Sequence, residues 1–268
     1  MIQQQATIRF STQVAPGCFH LGLACGGEFL KAVPGQFVMV QVSDQNTPLL
    51  RRPFSIFGHM RGSGHTAEGI ELLIKVVGQG TRFLSRMGAG DSVNLLGPLG
   101  HGFRVDPDFK TIYLAAGGIG IAPIRFLAND LIAKGVAPDD CHLFLGGRSQ
   151  MDLLCREEFK SLGIPVTVTT DDGSDGDQCL ITDPLEIAIQ DHRPDIVFAC
   201  GPHGMLACIA GIAQRRQVRC QVSIETMMAC GMGVCLGCAV ESRQQQDTYL
   251  HACIHGPVFN IEDLKFKP

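Results

Sequence analysis

The stretch TIYLAAGGIGIAPI, residues 111–124, marks the point where the chain changes from one kind of fold to another. Its first half is a short apolar run, which is typical of a buried strand, and its second half is a glycine-rich turn that leads to Pro123. Proline is favoured in the first turn of a helix, so we predict a helix from Pro123 to about Lys134. A strand, a glycine turn and a helix in this order are the context that a phosphate-binding turn requires.

The alternation of strands and helices continues downstream. We predict strands at CHLFLGG (141–147), PVTVTT (165–170) and DIVFAC (195–200), and helices at MDLLCREEFKSLG (151–163) and GMLACIAGIAQRR (204–216). Strands that alternate with helices form a parallel sheet with crossover helices, and ligands bind at the carboxyl ends of such strands. We therefore expect an α/β domain that binds a nucleotide.

The first hundred residues have a different pattern, in which short Val- and Ile-rich runs are separated by Gly, Pro, Asp and Ser. The runs are GQFVMVQV (35–42), IELLIKVV (70–77) and GDSVNLLGPLG (90–100). This pattern predicts a compact antiparallel β-barrel or sandwich. The chain accordingly divides into a β domain, an α/β domain and a small C-terminal domain, with predicted limits 1–102, 103–217 and 218–268.

The composition of the 268-residue chain limits its possible functions. With 18% charged residues and a formal net charge of −4, it has no basic excess of the kind that nucleic-acid-binding proteins carry. Charges interrupt every apolar run before it reaches the roughly 18 residues of a membrane helix. The N-terminus, MIQQQATIRF, lacks the basic start and apolar core of a signal peptide, so a cytoplasmic location with reduced thiols is expected.

Four of the twelve cysteines lie near the C-terminus. Cys230, Cys235 and Cys238 are separated by four and then two residues, and Cys253 follows after fourteen more. This is the spacing of plant-type [2Fe–2S] centres, in which a tight loop and one remote cysteine together supply two thiolates to each iron. The glycines in CGMGVCLGC (230–238) allow the backbone to bend around the inorganic sulfides. The alternative is a zinc site, which also takes four thiolates but usually from two short Cys-x-x-Cys pairs.

The segment RRPFSIFG (51–58) in the β domain is a second candidate site. Arg52 offers a planar fork of donors that suits a pyrophosphate. Pro53 stiffens the turn, Phe54 adds an aromatic surface, and Ser55 is a short donor and acceptor. The alternative interpretation of this segment is the end of a strand with one solvated arginine.

A glycine-rich turn follows in KVVGQGTRFLS (75–85), where Gly80 and Thr81 begin a helix-like segment. Backbone amides at such a helix start can hold a phosphate. The two motifs in one β domain, in this order, are stronger evidence for a phosphate-containing cofactor than either motif alone.

In the α/β domain, Gly118 and Gly120 of the glycine turn allow a pyrophosphate to approach the backbone closely. The segment after the last predicted strand begins with Cys200 and Gly201, which we expect at the same edge of the sheet. Cys200 can equally be interpreted as a core residue. The strand at 141–147 ends in glycines before Arg148 instead of the acid that usually contacts an NAD ribose, so the sequence leaves NAD and NADP undecided. Arg148 is either a phosphate contact or a solvated side chain.

Arg-x-Phe-Ser followed by Gly-x-Gly-Thr resembles the flavin-binding barrel of the ferredoxin–NADP reductase superfamily. The resemblance implies bound FAD, with Arg52 and Thr81 at its pyrophosphate and Ser55 near the flavin N5. The strand backbone at Ile74 and Lys75 would lie beside the isoalloxazine ring, and the strand end at Cys200 and Gly201 beside the nicotinamide. The positions expected to bind a cofactor are therefore Arg52, Pro53, Phe54, Ser55, Ile74, Lys75, Gly80, Thr81, Gly118, Gly120, Cys200 and Gly201.

The C-terminal stretches SIETMMACGMGVCLGCAV (223–240) and ACIHGPVF (252–259) resemble the electron-transfer subunits of class 1B dihydroorotate dehydrogenases, and the three domains follow in the same order. The resemblance implies that electrons pass from an FMN-containing catalytic subunit through a [2Fe–2S] cluster and FAD to NAD⁺. The implied assembly is a heterotetramer with two copies of each chain. Cofactors carry this chemistry, so no acid–base residue is expected on the chain.

Two other functions stay open at this stage. Similar reductase subunits with a terminal [2Fe–2S] centre occur in ferredoxin-dependent NADPH oxidoreductases and in sulfur or hydrogenase systems, and they differ in their partner. The second open function belongs to a different class: a nucleotide-binding regulatory module that is stabilised by zinc and catalyses no reaction. Met227, Met228 and Met232 lie around the cysteine loop and form either an apolar docking face for a partner or part of the core.

Overall fold

The structure is a computed structural model that describes residues 1–42, 48–62, 66–244 and 247–266. Within these residues, the first domain contains a short 3₁₀ helix at Gly27–Lys31, six strands and one short α-helix: β1 Ile2–Ala15, β2 Cys18–Ala24, β3 Phe37–Gln41, β4 Arg52–Arg61, β5 Ala67–Lys75, α1 Gln79–Leu84 and β6 Ser92–Leu99. The strands pair antiparallel in the order β1-β2-β5-β4-β3-β6 and close into a barrel, because β6 also pairs with β1. The prediction of an antiparallel β domain is confirmed, and of its two forms the chain adopts the barrel.

Side chains on the barrel strands alternate between an interior core and an outer surface. On β3, Val38 and Val40 belong to the interior core, whereas Phe37 and Met39 pack outward into a second core that also contains C-terminal residues. On β4 and β5, outward-facing side chains pack against the α/β domain instead. We call the outward side of these three strands the bridging face; its members are Phe37, Met39, Pro53, Ser55, Phe57, Leu73 and Lys75.

The second domain alternates strands and helices as predicted. Its elements are β7 Ile112–Gly117, α2 Ile121–Ala133, β8 Cys141–Gly147, α3 Arg156–Ser161, β9 Val166–Thr170, α4 Thr182–Asp191, β10 Ile196–Cys200 and α5 His203–Arg216. The four strands are parallel and lie in the order β10-β7-β8-β9. In the described part of the chain, no helix has the length and apolarity that crossing a membrane requires.

The C-terminal region adds two strands to this sheet and forms a small hairpin of its own. The new strands are β11 Arg219–Ser223, β12 Ala239–Glu241, β13 Tyr249–His251 and β14 Val258–Asn260. β11 pairs parallel with β10, β14 pairs antiparallel with β11, and β12 pairs with β13. The six-stranded sheet β14-β11-β10-β7-β8-β9 therefore continues across residue 217, and the domain limits stay a prediction.

Two helices differ from the sequence prediction. The helix expected over 151–163 is confined to α3, because Cys155 adopts a left-handed conformation with φ of 63° that separates α3 from a single 3₁₀ turn at Gln150–Asp152. α4 was not predicted at all. The segment RRPFSIFG lies at the beginning of β4, with Arg51 directly before the strand.

Candidate functional site

A cleft of about 830 Å³ opens at the carboxyl ends of the parallel strands. Its walls include the glycine turn at 117–120, the glycines that end β8, and Gly201 with Pro202 after β10. The barrel contributes Lys75, the last residue of β5. Because ligands of α/β sheets bind at this edge, the cleft is the candidate nucleotide site.

The glycine turn can form only because it lacks side chains. Gly118 has a φ of +52°, which L side chains rarely adopt. A Cβ atom at Gly120 would lie 2.4 Å from the carbonyl oxygen of Cys200. The thiol of Cys200 is buried in the core, and burial raises its pKa well above the ordinary value. The structure therefore puts the Cys200 side chain in the core and its backbone against the turn, while Gly201 lines the cleft.

Charged side chains surround the mouth of the cleft. The ammonium of Lys75 lies 2.9 Å from the carboxylate of Asp152, and Arg148 lies farther away, at 3.7 Å from the same carboxylate. Burial acts to raise the pKa of Asp152, but the hydrogen bond and charge of Lys75 outweigh it, so the pKa is below its ordinary value. Arg148 lines the cleft with a largely exposed side chain, and Asp171 lines it from the end of β9.

Glu225 and Thr182 are among the residues of the cleft wall that the sequence analysis did not name. Glu225 follows β11, and the surrounding walls displace water from its carboxylate, which raises its pKa although the side chain can still be reached by solvent. Thr182 is buried at the start of α4, and its hydroxyl has no hydrogen-bond partner among the described residues. A charged residue two positions after a strand was the available signal for Glu225, but the strand itself was not predicted.

The two flavin motifs of the barrel meet in space. A Cβ atom at Gly80 would lie 3.1 Å from Nε of Arg52, so the arginine packs directly over the start of α1. Among the described residues, the Arg52 guanidinium donates to the backbone carbonyls of Leu50 and Arg51, at 2.6 and 3.2 Å. The neighbouring Arg51 instead holds strands together through Asn94. Of the two arginines, Arg52 is the one whose position suits a phosphate ligand.

Thr81 shapes the turn at the start of α1. Its hydroxyl accepts hydrogen bonds from the backbone amides of Val77 and Gly78 at 2.9 and 3.1 Å, and the side chain is buried. The first amides of a helix have no partner within it, so this arrangement presents them for a ligand. In this structure Thr81 supports the turn instead of offering a free hydroxyl.

The other barrel residues that were predicted to bind a cofactor lie on two sides of the barrel sheet. Ile74 is fully buried in the barrel interior, and Phe54 packs against the same core. Pro53 and Ser55 belong to the bridging face and are half-buried. A planar ring lying on this face would contact Pro53 and Ser55 directly and could reach Ile74 only through its backbone.

The four clustered cysteines form two pairs. The Cys238 and Cys253 sulfurs are 3.2 Å apart, and Cys230 accepts hydrogen bonds from the backbone amide of Cys235, at 3.4 Å, and from its thiol. Burial acts to raise the pKa of Cys230, but hydrogen bonds from Cys235 and Met232 outweigh it and lower the pKa to about 6. Within the described residues, no three His, Cys, Asp or Glu side chains are arranged around a single metal ion.

The loop around these cysteines fits a two-iron centre. Gly231 and Gly233 have φ of +74° and +81°, which lets the chain curl and turn amides towards sulfur. The amide of Gly233 donates to the Cys253 sulfur at 3.2 Å. Two thiolate pairs with amide hydrogen bonds to sulfur are the donor set of a [2Fe–2S] cluster, with one pair for each iron.

Three family models match the chain in the order of its domains. Residues 5–103 match the oxidoreductase FAD-binding domain, and residues 114–211 match the oxidoreductase NAD-binding domain. Residues 225–265 match the iron–sulfur cluster binding domain of dihydroorotate dehydrogenase B. FAD, NAD and an iron–sulfur cluster are thus the cofactors of this chain, and the prediction of these three is confirmed.

Curated relatives extend this likeness over nearly the whole chain. The dihydroorotate dehydrogenase B (NAD(+)) electron transfer subunit of Caldanaerobacter subterraneus subsp. tengcongensis is 38% identical over 265 residues, which is 98% of this chain and 99% of the relative. The subunit of the same name from Desulforamulus reducens is 38% identical over 249 residues, 92% of each chain. The chain belongs to the dihydroorotate dehydrogenase B electron transfer subunit family. As a member of that family it is a flavin- and iron–sulfur-dependent, NAD-linked oxidoreductase subunit.

Solved structures agree with the fold of this electron transfer subunit family. The superposition on a chain of an NADH-dependent reduced ferredoxin–NADP oxidoreductase covers 97% of this chain and 90% of the other, with a TM-score of 0.83 and 27% identity. The superposition on a ferredoxin NADP⁺ reductase from Neisseria gonorrhoeae covers 80% of this chain and 91% of the other, with a TM-score of 0.66 and 15% identity. The second likeness concerns the fold alone, which is the reductase fold that the sequence motifs predicted.

Proposed function

We propose that this chain accepts electrons from an FMN-containing dihydroorotate dehydrogenase catalytic subunit and delivers them to NAD⁺. The observation that carries this proposal is the continuity of the bridging face. At one end Lys75 lines the nucleotide cleft, and at the other end Met39 contacts the cysteine loop at Gly231. A flavin on Pro53 and Ser55 would therefore lie between the two other cofactors.

Each cofactor would be held by a separate part of the chain. Arg52 and the amides at Gly80 would bind the FAD pyrophosphate, and the glycine turn with Gly118 and Gly120 would bind the nicotinamide dinucleotide. The four cysteines would hold the [2Fe–2S] cluster. When bound, the cluster carries single electrons and FAD joins them into the two-electron unit that NAD⁺ requires.

The partner would dock over the cysteine loop. Cys235 is exposed, and the large apolar side chains around the cluster are exposed as well: Met227, Met232, Val234, Leu236 and Ile254. A compact group of exposed apolar side chains is typical of a protein interface. Met228 differs from its neighbours because it packs against the core, so the docking hypothesis rests on Met227 and Met232.

The proposed assembly is a cytoplasmic heterotetramer with two copies of each subunit. All twelve cysteines are free thiols in this structure, which suits a reducing compartment. The names of the curated relatives imply a catalytic partner, since each is called an electron transfer subunit. Mass measurement of the co-expressed complex tests the stoichiometry.

A second candidate function is electron exchange with ferredoxin. It is favoured by the NADH-dependent reduced ferredoxin–NADP oxidoreductase chain, which covers 97% of this chain at 27% identity. The two functions use the same cofactors and differ in the partner that reaches the cluster.

The deciding experiment uses the anaerobically purified chain, alone and co-expressed with a dihydroorotate dehydrogenase catalytic subunit. The chain alone should contain about two irons, two sulfides and one FAD. Dihydroorotate-dependent NAD⁺ reduction by the complex supports the first proposal. Reduction of ferredoxin by NADH without any response to dihydroorotate supports the second, and zinc without flavin contradicts both.

A further inference from the structure

The bridging face joins the flavin site and the cluster through two adjacent buried side chains. We propose that Phe37 and Met39 form the contact layer that couples the [2Fe–2S] cluster to the flavin, with Met39 as a positioning residue. This inference rests on the proposed function, because the place of the flavin on β4 is part of that proposal. It adds the route within the chain by which electrons cross from the cluster to the barrel.

The flavin side of the layer follows from strand register. Phe37 of β3 lies opposite Ser55 of β4, and Met39 lies opposite Pro53. All four belong to the bridging face, and paired residues on one face of a sheet have Cβ atoms about 5 Å apart. A flavin that rests on Pro53 and Ser55 therefore has Phe37 and Met39 as its immediate neighbours.

The cluster side of the layer follows from the contact of Gly231 with β3. A Cβ atom at Gly231 would lie 2.5 Å from Cγ and 2.9 Å from Sδ of Met39. Gly231 directly follows Cys230, so the backbone next to one cluster ligand touches the Met39 side chain. Only a glycine at this position allows that approach.

The layer is dry and well packed. Met39 has no exposed surface and Phe37 is only 3% exposed. Both belong to one core that also contains Cys238 and Cys253. Met39 is closed off from solvent where it meets the cysteine loop, and tight packing of this kind holds two sites at a fixed distance.

The side chains of the layer undergo no chemical change. Each crossing moves one electron from the reduced cluster to the flavin, which oxidises the cluster by one electron. Two crossings and one proton from solvent account for the conversion of one NAD⁺ to NADH. Displacing the cysteine loop from Met39 should therefore slow these crossings and leave hydride exchange with the nicotinamide unchanged.

The test mixes NADH with the oxidised holoprotein and records two phases, bleaching of the flavin and then bleaching of the cluster. Met39→Ala should slow the second phase several-fold, because the cysteine loop loses the side chain that fixes its distance from the barrel, and leave the first phase unchanged. Met39→Leu conserves volume and should restore the second phase to nearly the wild-type rate. Ile209→Ala removes a buried side chain of the same core on α5 and is the matched control.

Readouts other than turnover separate positioning from general damage. Iron and FAD content, the visible circular dichroism of the cluster and both reduction potentials should match the wild type in Met39→Ala. An unchanged second phase in Met39→Ala with both cofactors present overturns the inference, as does equal slowing in Ile209→Ala. If Met39→Ala loses its cofactors, Phe37→Leu is tested instead. Selective slowing of the second phase in Phe37→Leu supports the inference, and an unchanged second phase overturns it. A wild-type chain that lacks flavin or cluster contradicts the proposed function itself.

Discussion

Lys75, at the end of a barrel strand, and Asp152, after the second strand of the parallel sheet, form an ion pair of 2.9 Å across the mouth of the nucleotide cleft. The carboxylate is 16% exposed and the ammonium 31% exposed. The pair joins the barrel to the α/β domain between the proposed flavin and nicotinamide positions. It therefore helps to fix the distance over which a hydride would travel.

We expect a coupling energy of about 1 kcal/mol between these two residues, because the pair is only partly shielded from solvent. Lys75→Met, Asp152→Asn and the double variant should be compared by urea unfolding of the holoprotein. Since the pKa of Asp152 is lowered on folding, its contribution is present above the ordinary value of 3.8 and is lost as the pH falls through the folded value. A coupling energy that is the same at pH 7 and at pH 3 would contradict this account.

Arg125 of α2 should contribute more to stability, because it lies in a largely buried network between the two domains. Its guanidinium lies 3.2 Å from Glu71 of the barrel and 4.2 Å from the centre of the Phe57 ring. Arg125→Met should lower the free energy of unfolding by roughly 2 kcal/mol, because it leaves a largely buried carboxylate with less compensation. Lys134→Met removes an exposed pair on the same helix and should cost less than about 0.5 kcal/mol. Equal effects of the two variants in urea unfolding would contradict the role of burial.

Glu71 should make the same network sensitive to acid. Burial acts to raise its pKa, but hydrogen bonds and charges from His20 and Arg125 hold the pKa below the ordinary value of 4.5. Its contribution to stability is therefore present above pH 4.5 and is lost as the pH falls through the folded pKa. The loss of stability between pH 5 and pH 3 should be smaller in Glu71→Gln than in the wild type, measured by urea midpoints.

Gly120→Ala should weaken nucleotide binding without affecting the other cofactors. The added Cβ would lie 2.4 Å from the Cys200 carbonyl oxygen, so the turn must move. We expect the NADH dissociation constant to rise about tenfold, which corresponds to a loss of about 1.4 kcal/mol of binding free energy. Gly204→Ala is the control, because Gly204 lines the same cleft and a Cβ there meets nothing within 4 Å. The NADH dissociation constants of the two variants are compared by titration at equal FAD content.

Cys253→Ser should remove the cluster and spare the flavin. A serine hydroxyl is a poor substitute for the thiolate that we propose as a cluster ligand, so iron and sulfide should fall to a small fraction of the wild-type content. FAD content and flavin reduction by NADH should persist, since their residues lie on other parts of the chain. Cys179→Ser, outside the cysteine loop, should keep its iron; a chain that loses iron equally in both variants would contradict the ligand assignment.

The sequence predicted the elements whose periodicity is strong and missed those defined by distant pairing. In α4, apolar residues at 185, 187 and 189 alternate as in a strand, and only Leu185 and Ile189 are buried, whereas Ile187 is largely exposed. β14 has three residues, and its pairing with β11 joins segments about forty residues apart. β14 leaves no local signal that could be recognised before folding, whereas α4 carries one that the sequence analysis overlooked, since Pro184 lies in its first turn.

The residues of the candidate site were likewise predicted only in part. The motifs predicted Arg52, the glycine turn and the cysteines, because phosphates and iron demand particular residue types at particular spacings. They did not predict the ion pair of Lys75 with Asp152, which are 77 positions apart. Nor did they reveal that Thr81 uses its hydroxyl on its own turn, since that depends on the backbone path.

The pairing of β14 with β11 makes the cysteine loop an excursion that leaves the large sheet and returns to its edge. A chain cut after α5 would lose two strands as well as the iron, and the bared edge of β10 would be open to pairing with other chains. A chimera whose boundary lies at residue 217 would therefore disrupt the large sheet. A chimera that borrows the cysteine loop from another reductase should graft it between β11 and β14, where both ends are already anchored by backbone hydrogen bonds.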